Sequence, residues 1–111
     1  SPIGVADLDG DGQAEIAYVD RPHLTKELLI WRFSEGALES VGSAKDVTNH
    51  QIGDDYITGG IRTCGAGPQM VAVSGDWTRI VGMTFQEGTV VRRDLRPYNG
   101  RGSVDKVMAC R

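Results

Sequence analysis

Laid over itself with a shift of 55 positions, this chain matches its own pattern. Gly10 and Gly12 fall on Gly65 and Gly67, and Ile16-Ala17-Tyr18 falls on Val71-Ala72-Val73. Further on, Phe33-Ser34-Glu35-Gly36 is echoed by Phe85-Gln86-Glu87-Gly88 at a shift of 52, the difference being a shorter loop before Ile80 than before Leu28. Repeats that differ by a loop length are what supersecondary units set side by side look like. The units run about 1–60 and 61–111. Their β-branched and aromatic runs, broken by glycine, read as strands at about 15–19, 27–33 and 37–41, then 69–74, 78–85 and 89–95. Ser34-Glu35-Gly36 reads as a hairpin turn. Residues 56–58 and 60–62 are expected to complete the first unit, and 106–110 to form a last strand. No stretch shows a helical period beyond a turn or two, and 43–51 reads as loop or a short helical turn. Ile16 and Val71 are expected at equivalent inner-strand positions, with Leu28, Ile30, Ile80 and Val81 buried near them.

The chemistry concentrates in Asp7-Leu8-Asp9-Gly10-Asp11-Gly12-Gln13-Ala14-Glu15-Ile16. Three aspartates alternate, glycines sit between and after them, and a fourth carboxylate precedes an apolar run. Hard divalent cations demand oxygen ligands, and Ca²⁺ takes about six to eight of them. Carboxylates this close repel one another unless a cation sits among them. We therefore read Asp7, Asp9, Asp11 and Glu15 as calcium ligands, with the Gln13 carbonyl as a fifth; the alternative is a solvated acidic turn. An EF-hand is excluded, because its twelfth position must be a bidentate Glu and here it is Tyr18, followed by a strand pattern instead of a helix. In the second unit Arg62, Cys64, Ala66 and Met70 stand where the carboxylates were, so that loop is expected to hold no metal.

An Asp-x-Asp-Gly-Asp-Gly loop running into a strand resembles the FG-GAP repeat, also called the VCBS or integrin-type repeat, of β-propellers. Residues 6–33, 49–70, Trp77-Thr78-Arg79 and the closing Ala109-Cys110-Arg111 are similar to exported alphaproteobacterial proteins of that family. The resemblance implies an all-β fold of about two four-stranded antiparallel blades, the C-terminal portion of a larger propeller. It also implies a periplasmic or secreted setting. A blade is four strands and a propeller needs about four to eight blades, which 111 residues do not supply. The competing architectures are a small independent β-sandwich and two blades completed by self-association.

Net charge is −3 with both signs interspersed. The one basic cluster, Arg92, Arg93, Arg96 and Arg101, lacks interleaved aromatics and reads as a strand edge, not a nucleic-acid surface. No apolar run approaches a membrane span. Two cysteines, Cys64 and Cys110, suit a disulfide in an oxidising compartment; two buried free thiols are the other reading. His23 and His50 have no ligand or catalytic partner at a close spacing, which argues against zinc. Ser74-Gly75-Asp76 reads as a turn and Asp54-Asp55 as a solvated edge, and no nucleophile constellation or phosphate loop is visible. The sequence thus points to a calcium-stabilised structural or protein-interaction module with a protein partner. The alternatives are the C-terminal part of an exported enzyme whose catalytic residues lie upstream, and an accessory subunit on the periplasmic face of a membrane complex.

Overall fold

The computed structural model describes residues 1–111 and is built almost wholly from antiparallel strands. β1 (Pro2–Ala6), β2 (Glu15–Asp20), β3 (Glu27–Ser34) and β4 (Ala37–Lys45) form one sheet in that order. In the second sheet, β6 (Gly60–Thr63), β7 (Pro68–Ser74), β8 (Arg79–Gln86) and β9 (Thr89–Pro97) repeat the meander. The two-residue β5 (Val47–Thr48) shares the outer edge of β7 with β6, pairing with Val73 and Ser74. One helix, α1 (Arg101–Met108), follows.

The 55-residue shift survives in the pairing. Val5↔Ile16 and Ala6↔Glu15 in the first sheet correspond to Gly60↔Val71 and Ile61↔Met70 in the second. One strand further in, Ala17↔Ile30 corresponds to Ala72↔Val81. The two sheets pack face to face, and their shared core joins Ala17, Val19, Leu28 and Ile30 of one to Met70, Ala72, Val81, Met83 and Phe85 of the other. Each sheet therefore turns the same register face inward. At Gly42 the sheets approach so closely that a Cβ would lie 2.8 Å from the Phe85 ring.

Leu28, Ile30, Ile80 and Val81 are buried as expected. Ile16 and Val71 are equivalent in register, but both point away from the shared core. Val71 is buried there with Val73 and Ile80 beneath Val104 and Val107 of α1. Ile16 is 38% exposed, because nothing covers that face of the first sheet.

The hairpin echo is a match of turns. Glu35 and Gly36 have φ of 52° and 81°, and Glu87 and Gly88 have 52° and 78°, the positive pair that a tight two-residue hairpin requires. The two phenylalanines do not correspond. Pairing with the preceding strand aligns β3 with β8 at a shift of 51, one less than the hairpins, and a one-residue slip sends a side chain to the opposite face. Phe33 is accordingly 65% exposed and Phe85 is 1% exposed.

Four expectations are corrected. Residues 106–110, expected as a strand, belong to α1 and its C-terminal turn. A short apolar run is ambiguous by period, and the deciding signal is Val104 and Val107 three apart on one buried face. Residues 56–58 form no strand; they cross a loop in which the Thr58 amide donates to the Asn49 carbonyl at 2.7 Å. The strand at 60–62 forms, but it pairs with β7 and so begins the second sheet. Residues 43–45 extend β4, and 47–48 are β5, leaving no helical turn there. β1 has no counterpart among the strands expected from the sequence.

Candidate metal centre

The acidic loop connects β1 to β2. Glycines at 10 and 12 hold φ of 77° and 91°, and the chain curls back on its own carboxylates. Asp7 does most of the folding: one carboxylate oxygen accepts the Gly10 and Asp11 amides at 2.9 and 3.1 Å, and the other accepts the Gly12 amide at 2.8 Å. Asp11 accepts the Gln13 amide at 2.8 Å. Glu15, fully buried at the start of β2, accepts the Leu8 amide at 2.8 Å and so staples the two ends of the loop.

The side chains converge. One carboxylate oxygen from each of Asp7, Asp9, Asp11 and Glu15 lies within 4.8 Å of all the others, so the four acidic residues singled out from the sequence share one cluster. Gln13 is exposed and touches the cluster through its amide.

Sequence reasoning missed one member. Arg32, the cross-strand neighbour of Glu15 on β3, reaches into the cluster. Its guanidinium lies 2.8 Å from Asp9, 3.1 Å from Glu15 and 3.5 Å from Asp11. The signal that could have found it is the pairing itself, since side chains directly opposite on neighbouring strands meet. The hydrogen bond to Glu15 and the surrounding negative charge raise the Arg32 pKa. The Asp11 carboxyl is held below its ordinary value, chiefly by the Gln13 amide and then by its contacts with Asp9, Arg32 and Asp7. Four carboxylates against one guanidinium leave a formal surplus of three negative charges in a small volume. That surplus, presented by oxygen donors only, fits a hard divalent cation.

The corresponding loop between β6 and β7 offers nothing of the kind. Its ladder continues to Arg62↔Gln69 and Thr63↔Pro68. Arg62 is engaged with the Gln69 side chain at 2.8 Å and the Val107 carbonyl at 2.7 Å. Cys64 is joined to Cys110 by a disulfide with Cα atoms 5.7 Å apart, pinning the loop to the residues just after α1.

The other polar residues behave unevenly. Ser74-Gly75-Asp76 is a turn, with the Ser74 hydroxyl donating to Asp76 at 2.7 Å. Hydrogen bonds from Thr78 and Ser74 hold the Asp76 carboxyl low. Burial pushes the Tyr98 hydroxyl up, with help from Tyr56 and Asp54. Arg101 lies over the Tyr56 ring, and Arg92 binds the carbonyls of Lys45 and Asp46, so part of the basic cluster serves local structure. His23 and His50 are not isolated: Nε2 of one lies 2.8 Å from Nδ1 of the other. No helix is long and apolar enough to cross a membrane. No protein-family model matches the chain, and comparison with curated proteins and with solved structures gives no match.

Proposed function

We propose that this chain is a calcium-stabilised unit of the FG-GAP/VCBS type that serves an exported protein as a structural and protein-interaction module. The observation that carries the reading is the convergence of Asp7, Asp9, Asp11 and Glu15 with more negative charge than Arg32 neutralises. Gln13 would add its carbonyl. The disulfide suits the oxidising compartment of an exported protein.

The blade assignment rests on the loop and on the four-stranded meander that each unit forms. Blades arrayed around an axis stack front to back. These two sheets meet through equivalent faces, as a sandwich does, which departs from blade-on-blade stacking and favours the small β-sandwich as the architecture of the unit. The outer face of the first sheet suits an interaction role: Ile16, Tyr18, Trp31 and Leu38 line an apolar depression there. On the second sheet the register-equivalent face is covered by α1.

Titration with Ca²⁺, followed by calorimetry and thermal melting, tests the metal. Wild type should melt higher in Ca²⁺, with an affinity of about 10⁻⁴–10⁻³ M, the range of extracellular modules. Asp9→Ala should abolish that gain. Arg32→Gln separates the two explanations of the cluster. If calcium is the counter-ion, the variant still responds to it. If the guanidinium alone is the counter-ion, wild type is indifferent to Ca²⁺ and only the variant, which has lost its cation, is stabilised by it.

A further inference from the structure

A second candidate centre lies away from the acidic loop, between residues that are 27 apart in sequence. His23, in the loop after β2, and His50, just after β5, face each other with Nε2 and Nδ1 at 2.8 Å. The other nitrogen of His50 lies 3.0 Å from the Asp54 carbonyl oxygen. A carbonyl oxygen only accepts, so Nε2 of His50 carries a proton. In the neutral ring Nδ1 is then a lone pair aimed at His23. A ring nitrogen fixed by a backbone carbonyl while the other faces outward is the supporting arrangement typical of metal-bound histidine. His23 is exposed, and both rings line an open cleft that gives ions access. Lys26 lines the same cleft, but its ammonium is held by the Gly75 carbonyl at 2.6 Å.

We propose that His23 Nε2 and His50 Nδ1 chelate a borderline divalent transition-metal cation, the proton that His23 Nε2 donates to His50 moving through solvent to His23 Nδ1 so that both rings bind as neutral imidazoles. Imidazole suits zinc, copper and nickel, and two imidazoles leave the remaining positions to water. The observed 2.8 Å is the length of an N–H···N hydrogen bond, close to the roughly 2.8–3.3 Å that two nitrogens about 2.0 Å from one metal would span, so the rings need to turn but not to travel. His23, on an exposed loop, supplies the ring rotation needed to turn both lone pairs onto one point.

Ni²⁺ is the probe, titrated into the intact, disulfide-bonded protein and followed by calorimetry and by NMR of the histidine ring protons. One Ni²⁺ should bind and broaden the ring signals of both residues. His23→Gln and His50→Gln should each weaken it at least about tenfold, the loss typical of removing even a supporting group. Asp9→Asn, which disables the acidic cluster, should leave it unchanged, so this site stands or falls independently of calcium. Binding that is equal in wild type and His23→Gln, or broadening centred on residues 7–15, overturns the proposal. Because His23 is exposed, its variant folds and the comparison remains interpretable even if His50→Gln does not.

Discussion

The two loops that open the sheets span the same number of residues between paired positions, Ala6↔Glu15 in one and Ile61↔Met70 in the other, yet they are held by different forces. In the second loop the backbone ladder closes two pairs further and a disulfide ties the tip to the chain end. In the first, the Leu8 and Gln13 amides at the corresponding positions, with the Gly10, Asp11 and Gly12 amides of the tip, turn inward to carboxylates, and the loop gives up those ladder pairs for a charged cavity. The difference reaches into the core. At the position where the first sheet pairs Glu15 with Arg32, the second pairs Met70 with Met83. Glu15, Met70 and Met83 are all fully buried. One cross-strand site thus accepts either an ion pair or two thioethers. A buried ion pair is often replaceable by apolar residues of similar volume, whereas half of one is not tolerated. The charged version persists where it serves the loop.

The sharpest way to break this comparison is to mix the two solutions. Met70→Glu would bury a carboxylate opposite Met83, with no cation at that position. It should cost about 4 kcal/mol or more at neutral pH, measured by urea unfolding. A mild effect would mean that the site is wetter than its burial implies. Next in size is the staple of the second loop. Cys64→Ser with Cys110→Ser should lower stability by about 2–4 kcal/mol while leaving the calcium response of the first loop intact. Loss of both together would show that the two loops are not independent.

The double replacement Glu15→Met with Arg32→Met converts the first site into the second. Its calcium response should vanish, and without calcium it should lose only about 1–3 kcal/mol, from leaving the buried Leu8 amide without its Glu15 acceptor. Glu15→Met alone should be worse still, because it also takes the carboxylate from the Arg32 Nε–H, leaving the guanidinium to Asp9 and Asp11. The smallest effect is that of pH. Asp11 titrates below its ordinary value in the folded chain, so its contribution is present above pH about 4 and is lost as the pH falls through the folded value. Asp76 behaves likewise in the second sheet. Without metal, acid should therefore weaken both sheets slightly. With calcium, the first loop should become the more acid-sensitive of the two, as read by backbone amide exchange.

The acidic loop, the hairpin turns and most of the strands are legible in the chain because they are local. Alternating aspartates around glycines, Glu-Gly turns and β-branched runs dictate their own conformations within a few residues. Buried Leu28, Ile30 and Val81 follow from the same patterns. The pairing of the cysteines is half legible: an even count suggests it, but only the fold brings the second loop to the end of α1. Other features are decided by register and by sheet packing, which no local signal encodes. The 51-residue register of β8 against the 52-residue turn sends Phe33 outward and Phe85 inward. Arg32 enters the acidic cluster because β3 happens to lie beside β2 at that pairing. Val104 and Val107 become helical because the back of the second sheet offers them an apolar surface. His23 and His50 meet because the loop after β2 is tied to β5, the Thr48 hydroxyl donating to the Pro22 carbonyl at 2.7 Å. In each case contacts between residues distant in sequence supply the energy, so only the assembled sheets choose the outcome.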